Sequence, residues 1–281
     1  MAKKTVIITG GSDGIGKAAA RLLKEQGAQV VIIGRSPQKT KATGTELNVP
    51  YYIADFTKLD EVRTLGNQLH ADYPQIDVLF NNAGGVYGER EVTVDGFEKT
   101  FQINYLAHFL LTDILLDTLI ASHATIINTS SSGNSGLSKL DINDLNLENK
   151  YSRTRAYGNA KLEVILFAKE FNRRYGQKGV SMVAFHPGNV VTNFGAESPG
   201  MMHVLYHTFV QKLMRMIPPK KGADTAIWLA TTTPGKDWQP GEYYYKRKIA
   251  KAHKLAYDKD IARSLWTQSE EMIGERYPTF K

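Results

Sequence analysis

Thr5-Val6-Ile7-Ile8-Thr9-Gly10-Gly11-Ser12-Asp13-Gly14-Ile15-Gly16 takes a short β-branched run into a cluster of glycines and then into a helical pattern. Glycines at such a turn let the backbone fold tightly and bring its N–H groups up to a phosphate without a Cβ in the way. A helix starting near Gly14 would point its positive dipole end at a pyrophosphate. The spacing is G-x-x-x-G-x-G, and Gly14, Gly16 and Ala19 also fit the looser G-x-G-x-x-A pattern. A plain strand-to-helix junction would look the same, so the weight of this turn comes from its surroundings.

Further β-branched runs lie at Val30–Ile33, Tyr51–Ile53, Val78–Phe80, Thr125–Asn128 and Val180–Phe185. Between them the periodicity predicts helices over Gly16–Gln26, Leu59–Ala71, Phe97–Leu119 and Ala156–Arg174. Strands alternating with helices make βαβ units, hence an α/β fold with a parallel sheet and right-handed crossovers. A chain of 281 residues could hold two domains by length, but no linker or internal repeat divides it. A single domain over residues 1–281 is expected. Its cofactor half runs to about 125 and its catalytic and substrate half spans about 126–245, with a tail over about 246–281.

Charge and composition narrow the function. Lys+Arg 35 against Asp+Glu 28 gives +7, spread along the chain, which suits an anionic ligand better than nucleic acid. The one concentrated stretch, Lys246-Arg247-Lys248 with Lys251 and Lys254, follows Tyr243-Tyr244-Tyr245. It reads as a last strand followed by a lysine-coated loop. Cysteine is absent, which removes disulfides, thiolate zinc sites and thiol nucleophiles together, and no metal site is expected. Apolar runs such as Phe109–Leu116 are far too short to span a bilayer, and Met1–Lys4 passes directly into the first strand. A soluble cytoplasmic protein without a membrane anchor is the expectation.

Chemistry gathers at the predicted carboxyl ends of the strands, where an open α/β sheet binds its ligand. After the second strand stand Gly34, Arg35 and Ser36. A carboxylate there would hold a ribose 2′-hydroxyl; instead Gly34 leaves room and the Arg35 fork suits a 2′-phosphate. Asp55-Phe56 follows the third strand, where a carboxylate can accept from an adenine amino group. Asn81-Asn82-Ala83-Gly84 follows the fourth, with small residues open to a ribose. Asn128-Thr129-Ser130-Ser131 ends the fifth and can set a hydroxyl against a substrate carbonyl. In Tyr157-Gly158-Asn159-Ala160-Lys161 the tyrosine and lysine share one helix face. The lysine charge would favour phenolate and pull the phenol below its ordinary value near 10. A serine hydrolase would need a histidine base with an acidic partner, and none of the seven histidines offers that context. His186, before Pro187, is given a structural or gating role.

Taken in order, Thr9–Gly16, Asn81–Gly84, Asn104, Ser130-Ser131, Tyr157-x-x-x-Lys161 and Pro187-Gly188-x-Val190-x-Thr192 resemble the short-chain dehydrogenase/reductase superfamily. Phe101–Phe109, Leu140–Leu147, His186-Pro187-Gly188 and Leu265-Trp266-x-x-Ser269-Glu270 resemble its retinol dehydrogenase-like branch. The resemblance implies a Rossmann-type doubly wound sheet of seven strands ordered 3-2-1-4-5-6-7. It implies hydride transfer between a nicotinamide and a carbonyl or alcohol, with Tyr157 as general acid/base and Ser131 polarising the carbonyl. Lys161 would hold the nicotinamide ribose and stabilise tyrosinate, and Asn104 would anchor a proton-relaying water.

Cofactor contacts are implied for Gly10, Ser12, Asp13, Gly14, Ile15, Gly16, Arg35, Ser36, Asp55, Phe56, Asn82, Ala83, Gly84, Tyr157, Lys161, Pro187, Gly188, Val190 and Thr192, with NADP(H) favoured over NAD(H). Residues 193–218 would form a greasy lid over a hydrophobic substrate. A homodimer or homotetramer is expected. The alternative is a regulator that binds NADP(H) on the same fold without turnover.

Overall fold

The computed structural model describes residues 4–190 and 216–276. Eight strands form one sheet: β1 Thr5–Thr9, β2 Gln29–Gly34, β3 Tyr51–Ile53, β4 Val78–Asn81, β5 Thr125–Thr129, β6 Ser181–Phe185, β7 Tyr243–Tyr245 and β8 Lys248–Ile249. Their order is β3-β2-β1-β4-β5-β6-β7-β8, and every pairing up to β6–β7 is parallel. The expected order is present. The sequence reading missed β8, which pairs antiparallel with β7. Lys246 and Arg247 turn the hairpin with φ of 50° and 61°. A two-residue turn of this kind is ordinarily marked by glycine or asparagine, so the lysine-rich stretch looked like a loop.

Alternation along each strand feeds two cores. Ile7, Val31, Leu79 and Ile126 join the cluster under helices α3 (Leu59–Asp72), α5 (Ala107–Ile114) and α8 (Arg153–Tyr175). Val6, Ile8, Val30 and Phe80 join the opposite cluster, with Ala19 and Leu23 of α1 (Gly14–Glu25) and Leu229. Strands buried on both faces read as unbroken apolar runs, which is why they stood out in the sequence.

The expected helix over Phe97–Leu119 is broken. A short α4 (Lys99–Phe101) passes into a π-turn, Gln102–Leu106, in which the Ala107 N–H donates to the Gln102 carbonyl. The helix resumes as α5, then breaks at Leu115 before α6 (Leu116–Ala121), and a single turn, α7 (Gly133–Gly136), follows β5. Apolar periodicity runs through all of it, so the one-residue slip left no trace in the pattern. The C-terminal helix Lys259–Arg276 lies against α8. Its Trp266 ring packs 5.0 Å from Phe109 and 5.7 Å from Phe167. Among the described residues no helix is long and apolar enough to cross a membrane.

Candidate active site

A cavity of about 610 Å³ runs along the carboxyl ends of the strands. Gly10, Ser12, Asp13, Gly14, Ile15, Arg35, Ser36, Asp55, Phe56, Asn82, Ala83, Gly84, Ser131, Tyr157, Lys161, Pro187, Gly188 and Val190 all line it. Thr192 and residues 193–215 lie outside the described residues. Of the expected lid only Met216, Ile217 and Pro218 are described, and Met216 faces the cavity.

The glycine turn is built for close approach. Gly10 has φ +65°, and a Cβ there would sit 3.0 Å from Ala83 Cα. At Gly16 a Cβ would come within 2.2 Å of the Gly10 carbonyl oxygen, so this glycine shapes the turn from behind. Asp13 is the N-cap of α1, its carboxylate accepting from the Gly14 N–H at 2.7 Å. Asn82 turns inward, donating to the Thr9 carbonyl at 3.1 Å and accepting from Thr129 Oγ1 at 3.2 Å.

At one end of the cavity α2 (Pro37–Leu47) begins, with Ser36 as its N-cap accepting from the Lys39 N–H. Arg35 and Lys39 are exposed and both line the cavity there. Lys39 was missed in the sequence, where it reads as one more surface lysine. Gly34 corrects a second expectation. A Cβ on it would meet Thr40 Oγ1 at 2.3 Å and Ser12 Oγ at 2.9 Å, so packing demands this glycine and it does not simply leave space for a ligand.

Ser131, Tyr157 and Lys161 meet at the other end. Ser130 Oγ donates to the Lys161 carbonyl at 2.6 Å and is buried, which ties it to α8. Ser132 is exposed. The Ser131 side chain bonds to the Tyr157 phenol. A Cβ on Gly133 would lie 3.3 Å from the Tyr157 ring and 3.5 Å from Ser131 Oγ, so the turn after Ser131 passes close beneath the phenol. Lys161 Nζ lies 5.6 Å from the Tyr157 ring centre and donates to the Thr129 carbonyl at 3.0 Å.

Burial dominates the electrostatics of this end. It pushes the Tyr157 phenol up to about 12, against a smaller opposing pull from Ser131, and pushes the Lys161 ammonium down to about 7. The expected lowering of the phenol by Lys161 is not seen: burial raises the phenol, and the opposing pull comes from Ser131.

Asn104 stands behind the wall. Its Nδ2 donates to the Gly85 and Thr100 carbonyls at 3.0 and 2.9 Å, and its Oδ1 accepts from the Gly85 N–H at 3.2 Å. His186 is braced: its Nδ1 accepts from the Gly188 N–H at 3.0 Å and its ring stacks 4.0 Å from Tyr245. Tyr87 and Ile103, which the sequence did not single out, add apolar surface to the cavity.

Comparison with known proteins agrees with this geometry. The short chain dehydrogenase family matches residues 4–202. A Streptomyces sp. (strain C5) protein provisionally named daunorubicin C-13 ketoreductase is 36% identical, covering 97% of this chain and 93% of its own. Human retinol dehydrogenase 13 is 32% identical, over 99% of this chain and 87% of its own. A crystal structure of an uncharacterised Mycobacterium paratuberculosis protein superposes with a TM-score of 0.76 at 27% identity, covering 96% of this chain and 93% of that one. The Pseudomonas aeruginosa RhlG/NADP active-site complex gives a TM-score of 0.68 at 25% identity, over 86% of this chain and 94% of that one.

Proposed function

The chain belongs to the short-chain dehydrogenase family, as an oxidoreductase of alcohols and carbonyl compounds on its retinol dehydrogenase-like branch, and on that premise we propose that it is an NADP(H)-dependent carbonyl reductase. One observation supports this reading above the rest. A single cavity joins a cationic corner, Arg35 and Lys39, to a half-buried phenol bonded to Ser131 beside Lys161.

The residues present fit a dinucleotide. Gly10, Ser12, Gly14 and Ile15 would hold its pyrophosphate at the start of α1, and Asp55-Phe56 its adenine. Asn82, Ala83 and Gly84 would flank the nicotinamide ribose, and Pro187, Gly188 and Val190 the ring. Arg35, Lys39 and Ser36 would take the 2′-phosphate through charge-assisted bonds at the first turn of α2. When bound, the cofactor supplies or accepts a hydride at its nicotinamide ring.

The remaining chemistry belongs to the chain. Ser131 donates to the substrate carbonyl and orients it. Tyr157, kept neutral by burial, holds the proton that the developing alkoxide needs. Lys161, fixed on the Thr129 carbonyl, binds ribose hydroxyls and stabilises the phenolate that Tyr157 leaves behind. Asn104 acts from behind the wall by holding Gly85.

Tyr87, Ile103 and Met216 favour a bulky apolar substrate. The relatives' names, a daunorubicin ketoreductase and retinol dehydrogenases, point to the same class. NADPH oxidation with a panel of hydrophobic ketones and aldehydes tests the reading. Turnover by the wild type should fall about 10²–10⁴-fold in Tyr157→Phe. NADPH binding with no turnover across the panel would favour a non-catalytic regulator instead.

A further inference from the structure

His108 lies one turn beyond Asn104 and is 4% exposed. Its Nδ1 faces the Asn104 carbonyl at 3.3 Å and its Nε2 faces Thr9 Oγ1 at 3.1 Å. Counting donors and acceptors fixes the ring. A carbonyl only accepts, so Nδ1 bears the proton. Thr9 Oγ1 already accepts from the N–H groups of Asn82 and Ala83, at 2.8 and 2.9 Å, which occupies both of its lone pairs. It can only donate toward His108, and the competing Phe80 carbonyl is more distant at 3.4 Å. Nε2 is therefore bare and the imidazole neutral. Burial and the nearby Lys161 charge, which push the ring down to about 3, act in the same direction.

The two arms of the ring end on the two halves of one loop. Thr9 holds Asn82 and Ala83, and Asn104 holds the N–H and carbonyl of Gly85. Between them Gly84 lies against Lys161, whose Nζ would be 3.4 Å from a Cβ at that position. We propose that His108 is a positioning residue: its ring joins the Thr9 and Asn104 clamps and so fixes the Asn82–Gly85 wall of the cofactor groove against Lys161. The proposal rests on reading that cavity as a cofactor groove, but the clamp itself can be observed without a cofactor.

The experiment separates the arms. His108→Gln keeps an acceptor near the Nε2 position and so the Thr9 arm; His108→Asn keeps a donor near the Nδ1 position and so the Asn104 arm; His108→Leu removes both. Amide hydrogen exchange on the cofactor-free protein reports the clamp, and NADPH titration by fluorescence reports its consequence. In His108→Leu the amides of Asn82, Ala83 and Gly85 should exchange about tenfold faster or more, while those of β2 stay protected. Protection should return at Asn82 and Ala83 in His108→Gln and at Gly85 in His108→Asn. The NADPH Kd of His108→Leu should rise about tenfold.

Unchanged exchange at the three amides, or acceleration spread evenly over β2 and α5, would overturn the proposal. Exchange that follows this pattern in a protein that binds no NADPH would sustain the clamp and sink the cofactor reading instead.

Discussion

The two ends of the cavity are governed by different physics. Arg35 and Lys39 stand exposed at one end, whereas at the other Lys161 is only 3% exposed and bonded to a backbone carbonyl. In solvent a cation keeps its charge and selects ligands by attraction, and that attraction is weakened by salt. Out of solvent the same kind of group gives up part of its proton affinity, which is why Lys161 falls to about 7. On the proposed function, selection would belong to the open corner and proton chemistry to the closed one.

The largest test of this contrast is at the open corner. Arg35→Ala should raise the KM for NADPH by about 10- to 100-fold, the value of one charge-assisted contact, and leave that for NADH nearly unchanged. The effect should shrink as ionic strength rises. Equal losses for both cofactors would show that Arg35 does not read the 2′-phosphate. A Gly34→Asp variant would be a poor probe of the same point, since its side chain would collide with Thr40 and Ser12.

A smaller effect belongs to the closed end. An exposed lysine titrates near 10.4, so from about pH 7 to about pH 10 the unfolded chain binds a proton that folded Lys161 does not. The stability of the cofactor-free protein should therefore rise across that window. Lys161→Met should flatten the rise, by on the order of 5 °C in Tm. A thermal profile with the same slope in the variant would mean that Lys161 keeps an ordinary affinity for its proton.

Glu163, on the same helix, gives the smallest and oppositely signed effect. It is 1% exposed, its Oε2 has no hydrogen-bond partner among the described residues, and burial aided by nearby Glu98 raises its carboxyl well above the usual range. Its neutral form therefore stabilises the fold below the unfolded carboxylate pKa, and that contribution is lost as pH rises. Glu163→Gln should lift Tm by about 2–4 °C near pH 7 and by nothing near pH 4. A gain that persists in acid would point to better packing and away from relief of charge.

Legibility in the sequence followed locality. Thr9–Gly16, Ser131 and the Tyr157–Lys161 spacing could be read because each is a short segment ending a strand or sharing one helix face. The parallel core was legible because strands buried on both faces read as apolar runs. Lys39 was not, because a cation on an exposed helix turn looks the same whether or not a groove opens beside it. The π-turn at Gln102–Leu106 was hidden under continuous apolar periodicity, and β8 under a turn made without glycine. Gly34 was read as open space because its collision partners, Thr40 and Ser12, come from two other segments. The Thr9–His108 contact joins residues 99 apart, a separation no local pattern can report.

The central claim is that the Tyr157 phenol serves hydride transfer from NADPH to a carbonyl carbon. It is tested most directly by reducing a hydrophobic ketone with NADPH deuterated at the transferred C4 position and weighing the alcohol. The account requires one deuterium on the carbinol carbon in the wild-type product, formed about 10²–10⁴-fold more slowly by Tyr157→Phe. An alcohol without label, or equal rates in the two proteins, would contradict it.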